Sequence, residues 1–292
     1  MKIIIFGAGH FGSLYAQQEK TAQIVGFVDN NASLWEKTCL GHKIIPPENI
    51  KDHDFDQIII CVNDYTMCGQ TGGAKAVDSI YPQLLAMGID EEKISVDNIA
   101  IRHDPRVASL RKLAIELESV NGAVAECGVN RGHFAGYINE IFPKRKLYLF
   151  DTFSGFDARD ISHETSALAM KWLDDCSVLF NYGSEKAALA RCPHRENVII
   201  HKGYIPETFA GLEHESFAFV NLDMDLYQPT LMALRFFTPR MAKGGVVWVH
   251  DYYLADLPGT KQAVDEFAME YDFIRIPCGD EWTVSLCGFE KR

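Results

Sequence analysis

Two short stretches limit what this chain can fold into more than anything else in it. "KIIIFGAGHFG" (residues 2–12) and "GAVAECGVNRG" (residues 122–132) each run an apolar segment straight into closely spaced glycines, and each is followed by a helix-like pattern. Strand, glycine turn and helix in that order open a doubly wound α/β sheet, because only glycine lets the chain reverse tightly at the strand end. Two such openings in a chain of 292 residues predict two α/β sheets in tandem. The expected domains are Rossmann-like, at residues 1–98 and 99–292. The segment "DNIAIRHDP" (97–105) marks the boundary, and Pro105 is well placed to start a helix.

The first half places Gly7, Gly9 and Gly12 after its opening strand, and a second strand, "QIVGFVDNN", carries Asp29 at its end. This is the context of a dinucleotide fingerprint: glycines for close approach to a pyrophosphate, and an acid roughly 20 residues on for a ribose diol. NAD or another nucleotide is therefore a candidate ligand. The opposing reading is that the glycines only make a tight turn in an accessory domain. No Tyr-x-x-x-Lys pair follows in this half, which counts against a complete hydride-transferring enzyme. "GFVDNN", "PPENI" and "DQIIICV" also resemble the small Rossmann-like domains attached to sugar-modifying enzymes.

The second half differs in chemistry. "ECGVNRG" sets the acid Glu126 before a loop opened by Gly128 and Gly132, which are expected to let that loop lie flat under a ligand. The next strand ends at Asp151, an acid suited to a ribose diol. Strands "NVIIHKG", "SFAFVNL" and "GGVVWV" follow, and a closing pair of strands is expected after residue 270. This pattern resembles the signature of class I S-adenosylmethionine-dependent methyltransferases, with a terminal antiparallel strand; the alternative is a plain Rossmann-like turn with surface acids. Candidate donor contacts are Glu126, Gly128, Arg131, Gly132, Asp151, Thr152, Phe153, Gly203, Tyr204 and Asp223. Arg131 is suited either to the donor carboxylate or to a surface salt bridge. Phe153 and Tyr204 could border the adenosine or simply pack in the core. In "DISHETSALAMKW", a candidate lid, His163 and Glu164 are either substrate contacts or solvated loop residues.

"NLDMDLYQPT" (221–230) places two aspartates one residue apart, and strand alternation would put Asp223 and Asp225 on one face. Two carboxylates on one face repel unless something uses their charge. The ordered set "AECGVNRGHFA", "LYLFDTFSGF", "LDMDLYQPTLMAL", "GGVVWVHDYY" and "PGTKQAVDEF" resembles the macrocin O-methyltransferase family, from about Val107 to Phe289. Members of that family methylate sugar hydroxyls of macrolide and aminocoumarin antibiotics. The resemblance implies a divalent metal, magnesium or manganese, held by Asp223, His250 and Asp251, with Asp225 as general base. One position departs from the family, which usually has two aspartates before the tyrosine where this chain has His250 and Asp251. Magnesium prefers oxygen ligands, and an imidazole shifts preference toward manganese, iron or zinc. His250 thus stands as ligand, as base, or as an orienting residue.

Bulk properties narrow the partners. With 28 basic and 40 acidic residues the net charge is −12, which argues against a general nucleic-acid or anionic-membrane binder. None of the eight cysteines forms a CxxC pair, so a zinc knuckle is not expected and a reduced, cytoplasmic setting is. The apolar run at the start breaks at glycines too early for a signal segment, and no stretch reaches the length of a membrane span. The expected enzyme is an S-adenosylmethionine-dependent O-methyltransferase acting on a small sugar or nucleotide-sugar substrate, with homo-oligomerisation left open. The alternatives are an NAD-dependent sugar-nucleotide reductase or epimerase using the first half, and a binding protein with a decayed methyltransferase site.

Overall fold

Both apolar runs form inner strands of parallel sheets. A computed structural model describes residues 1–62, 74–96, 105–180 and 183–292. The chain divides into two units, Met1–His103 and Asp104–Arg292; the boundary expected at residues 97–104 lies outside the described residues. The expected architecture of two α/β sheets, the second ending in an antiparallel arrangement, is what forms.

The first unit contains β1 (Lys2–Phe6), β2 (Gln23–Val28), β3 (Thr38–Cys39), β4 (His42–Ile45), β5 (Gln57–Ile60) and β6 (Ile94–Val96). Among the described residues they form one sheet in the order β3-β4-β2-β1-β5-β6, parallel except for the edge pair β3–β4. Ile3, Ile5, Phe27, Ile44 and Ile59 pack with Tyr15 of the helix His10–Gln18. Burial on both faces explains why β1 and β5 read as unbroken isoleucine runs. Gly7 (φ +114°) and Gly12 are dictated by packing: a Cβ on Gly7 would lie 2.4 Å from the Cys61 carbonyl oxygen, and one on Gly12 would lie 1.8 Å from the Gly7 oxygen. A Cβ on Gly9 would meet nothing within 4 Å.

The second unit contains β7 (Ala123–Cys127), β8 (Leu147–Asp151), β9 (Val198–Lys202), β10 (Phe217–Leu222), β11 (Met241–Val249), β12 (Tyr271–Pro277) and β13 (Val284–Lys291). Their order is β12-β13-β11-β10-β7-β8-β9, with β13 antiparallel to both of its neighbours. From β7 the chain builds outward through β8 and β9, then returns to the other side of β7 with β10 and β11. The reversal opens a crevice beyond the C-terminal ends of β7 and β10, where such sheets bind ligands.

Alternation along the strands assigns the two faces. Ala123, Ala125, Cys127, Val220 and Leu222 pack with Leu231, Leu234 and Phe237 of the helix Tyr227–Phe237 and with Val264 and Phe267 of the helix Pro258–Phe267. Val124, Leu147, Leu149, Phe219 and Trp248 face the helices Pro105–Glu116, His133–Ile141 and Glu185–Arg191 through Leu110, Phe134, Ile138 and Ala188. Each buried side chain of this size stabilises the fold by about 1.5–3 kcal/mol.

The glycine loop after β7 is held from below. A Cβ on Gly128 (φ +84°) would lie 1.8 Å from the Asp223 carbonyl oxygen, and one on Gly132 (φ +78°) would lie 2.5 Å from the Ala188 Cα. The two glycines therefore permit backbone-to-backbone and helix-to-helix approach, and Gly128 also lines the cavity beside the loop. Gly128→Ala is expected to destabilise the protein by about 3 kcal/mol or more, through backbone strain and overpacking together. Gly9→Ala, at a helix N-cap with open space, is expected to cost about 1 kcal/mol or less. Urea midpoints of the two variants against wild type check the contrast.

Candidate active site

Five strand ends meet around a cavity of about 320 Å³. Glu126, Gly128, Arg131, Asp151, Thr152, Gly203, Tyr204, Asp223, Asp225, His250 and Asp251 all line it. Two expected donor contacts do not: the Cβ space of Gly132 is filled by Ala188, and Phe153 is buried in the core beside Val129 and Phe134. The adjacent aromatic Phe156 lines the cavity instead.

Asp151 has a different first duty from the one expected. Its Oδ2 accepts hydrogen bonds from the Val129 and Asn130 amides at 2.6 and 2.7 Å, and its Oδ1 accepts from the Phe153 amide at 2.7 Å. A carboxylate offers about four acceptor positions, so Asp151 ties down the glycine loop and keeps room for one further donor. Asp29 behaves alike in the first unit, accepting from the Ala8 and Asn31 amides at 2.8 Å each. There Gly9 is the glycine that leaves open space over the turn.

Glu126 ends β7 with 2% of its surface exposed. Its Oε1 accepts from Asn221 Nδ2 at 3.0 Å across the β7–β10 pair, and its buried Oε2 has no hydrogen-bond partner. Burial, reinforced by the Asp223 charge, pushes its carboxyl well above the usual range. A buried acid with one vacant oxygen beside a cavity is a receptor for a cation.

On the opposite wall Thr152 Oγ1 donates to the Gly155 carbonyl at 2.6 Å. Tyr204 donates its hydroxyl to Asp160 Oδ1 at 3.0 Å, and the Arg159 guanidinium sits 3.5 Å from the centre of its ring. His163 is exposed and Glu164 is buried; neither lines the cavity. Glu164 Oε1 accepts from the Tyr227 amide at 2.7 Å, and both carboxylate oxygens lie 2.7 Å from where a Gly259 Cβ would be. The acid thus pins its segment to the N-termini of the helices Tyr227–Phe237 and Pro258–Phe267, where a negative charge is favoured.

The paired aspartates are not on one strand face. β10 stops at Leu222, and Asp225 takes a left-handed backbone (φ +64°), as does Asp251 after β11 (φ +59°). The loop, not the pleat, gathers the acids. Such conformations in non-glycine residues are uncommon and concentrate at functional sites. His250 Nδ1 lies 2.9 Å from Asp223 Oδ1 and 2.9 Å from Asp251 Oδ2. Burial and Arg106 oppose a proton on His250, but the Asp223 and Asp251 carboxylates lift it to about 10. Burial alone would raise Asp223; His250 and Arg106 hold it well below the usual carboxylate range. Burial, with Asp251 and Asp223 alongside, pushes Asp225 well above that range.

These residues fit a divalent cation. One ligand atom each from Asp223, His250 and Asp251 falls within 4.8 Å of the others. His250 Nδ1 and Nε2 and Asp251 Oδ2 are buried without a well-directed hydrogen bond. Carboxylate and imidazole atoms gathered this closely around one buried point suit an ion that would take the place of the histidine proton between them.

A sheet of this order, with its cavity at the switch point between a glycine loop and an acid cluster, is the doubly wound frame on which the family match identifies an S-adenosylmethionine-dependent methyltransferase. Residues 99–277 match the model of the macrocin-O-methyltransferase (TylF) family, and the chain belongs to that family. Residues 1–95 match the C2185-like N-terminal family. Among solved structures, the O-methyltransferase NovP shares the fold at 23% identity, with a TM-score of 0.55 over 63% of this chain and 79% of that one. CalS11, a calicheamicin methyltransferase, aligns at 20% identity and a TM-score of 0.48 over 62% and 77%. No curated protein matches the sequence.

Arg106, Phe156 and Asp160 line the cavity without having been singled out in the sequence. Arg106 lies outside every motif, and only its place one residue into the helix opened by Pro105 hints at a role. Burial, with the Asp157 charge, lifts Asp160 to about 6 although the Tyr204 hydrogen bond opposes the shift. A carboxyl raised by folding binds its proton more tightly in the native state, so stability falls as pH rises from about 4 toward 6. Asp160→Asn keeps an acceptor for Tyr204. It is expected to melt higher than wild type at pH 7.5 and within about 1 °C of it at pH 4. Melting curves across that range check the sign.

Proposed function

We propose that this protein transfers the methyl group of S-adenosylmethionine to a hydroxyl of a sugar or sugar-containing small molecule, with a divalent cation at Asp223, His250 and Asp251. The observation that carries the reading is the meeting of four ionisable groups, Asp223, Asp225, His250 and Asp251, on the wall of the donor cavity. Family membership supports an oxygen acceptor, and the carboxylates clustered on the cavity wall supply hydrogen-bond acceptors for a hydroxylated substrate.

In this reading Glu126 receives the donor's ammonium at its vacant Oε2, and Arg131, 5% exposed and lining the cavity, receives the donor's carboxylate. Asp151 keeps the glycine loop in place, with one acceptor position left for the ribose. A cation in the triad would chelate acceptor oxygens and lower the pKa of the reacting hydroxyl. Asp225 takes the hydroxyl proton on its carboxylate as the new oxygen–carbon bond forms and the sulfur–methyl bond breaks, leaving S-adenosylhomocysteine. A carboxyl whose surroundings raise its pKa is a strong base once ionised, which suits that step. His250 would serve as a ligand once the ion displaces its proton; with the proton in place its Nδ1 pairs with both aspartates.

The first unit is read as an accessory domain with a nucleotide-like turn. Any nucleotide chemistry there would rest on Gly9, which leaves open space, and on Asp29, whose carboxylate accepts two amides and keeps further acceptor positions, while Gly7 and Gly12 are occupied by the chain's own packing.

Calorimetry with S-adenosylmethionine and with NAD separates the leading reading from a reductase: the first is expected to bind in the micromolar range, and failure to bind at millimolar concentration would end the methyltransfer reading. Methyl transfer to a panel of nucleotide sugars and glycosides identifies the acceptor. Asp225→Asn is expected to lower kcat about 10²–10⁴-fold with donor affinity little changed. EDTA is expected to abolish turnover and Mg²⁺ or Mn²⁺ to restore it. Full activity in EDTA, together with an active Asp223→Ala variant, would remove the metal from the scheme.

A further inference from the structure

Arg106 sits in the first turn of the helix Pro105–Glu116, where the helix dipole disfavours a cation. Something else must hold it there. Its NH1 donates to Asp223 Oδ2 at 3.1 Å, and its Nε lies 3.7 Å from Asp280 Oδ2. The guanidinium is 4.8 Å from the centre of the Phe134 ring, and the side chain is 15% exposed. Asp280 is itself fixed, accepting from the Thr283 amide and hydroxyl at 2.7 Å each and from the Trp282 amide at 3.3 Å. A planar fork held by two carboxylates and a ring face has little freedom to turn.

The consequence falls on Asp223. Its two oxygens are divided: Oδ2 goes to Arg106, and Oδ1 lies 2.9 Å from His250 Nδ1. We propose that Arg106 is a positioning residue for the metal site, which withholds one oxygen of Asp223 and presents the other as a single-oxygen ligand. This rests on the metal reading given above. Two effects follow. A fixed positive charge behind one ligand weakens the site for any divalent ion. A carboxylate restricted to one oxygen suits small octahedral ions such as Mg²⁺ and disfavours Ca²⁺, which takes six to eight oxygens and accepts carboxylates two oxygens at a time. Arg106 therefore sets both the strength and the size preference of the site from outside the ligand set.

The test is calorimetric titration of the full chain with MnCl₂ and, separately, CaCl₂. Arg106→Gln is expected to bind Mn²⁺ about tenfold tighter than wild type and to gain more for Ca²⁺, so that the preference for the smaller ion narrows. A structural role alone would loosen binding, not tighten it. Arg106→Lys keeps the charge and loses the fork. It is expected to hold Mn²⁺ affinity within about threefold while gaining affinity for Ca²⁺, and it carries the test should the glutamine variant fail to fold. Unchanged or weaker binding of both ions by the variants overturns the proposal while leaving the metal reading intact. Loss of S-adenosylmethionine affinity with ion affinities unchanged also overturns it, and assigns Arg106 to the donor's carboxylate. If wild type and variants bind neither ion while still binding S-adenosylmethionine, the metal reading falls and this proposal with it.

Discussion

The approach of the Gly128 backbone to the Asp223 carbonyl is the contact on which the site depends. It joins the loop after β7 to the loop after β10 across the reversal of strand order, with no side chain between them. The Asp223 amide in turn donates to the Cys127 carbonyl at 2.8 Å. The donor loop and the acid loop are thus one piece of backbone geometry. The closeness of Asp223, Asp225 and Glu126 depends on this short distance, and only a residue without a side chain permits it.

The electrostatics are organised around that piece. Glu126, Asp223, Asp225 and Asp251, four of the acids that line the cavity, share it with the cations Arg106 and Arg131 and with His250. Their surroundings drive them apart: Asp223 is held low, while Asp225 and Glu126 are pushed up. Divergence of that kind among chemically identical groups is how a site divides roles between a charge holder and a proton carrier. His250 belongs to the first group by contact, since its Nδ1 touches Asp223 and Asp251.

The fold is legible in the sequence because its signals are local. Isoleucine runs ending in glycine, and alternation such as Val124 and Glu126 against Ala125 and Cys127, specify strand ends and faces with no knowledge of distant partners. Most of the cavity wall is legible for the same reason, since C-terminal strand ends carry it. What escapes is set by long-range packing. Gly132 looks like a ligand-facing residue until Ala188 is seen against it, and Phe153 looks like a stacking residue until its core neighbours are known. Glu164 reads as a solvated lid residue because the two helix N-termini it joins lie 63 residues and more downstream. Arg106 reaches Asp223 across 117 positions, a distance no motif spans.

The paired behaviour of Asp29 and Asp151 has a consequence for how such chains diverge. In each unit the acid at the end of the second strand accepts at least one backbone amide from the glycine loop and one from the residue two positions after itself. Replacing either acid would strand those amides, whether or not a nucleotide ever binds. Purifying selection on the loop's conformation alone would therefore preserve the carboxylate long after a unit had lost its ligand. An acid at this position is a fossil of architecture as much as a mark of present chemistry, and a unit can keep the look of a cofactor domain while the acid serves only to hold its loop together.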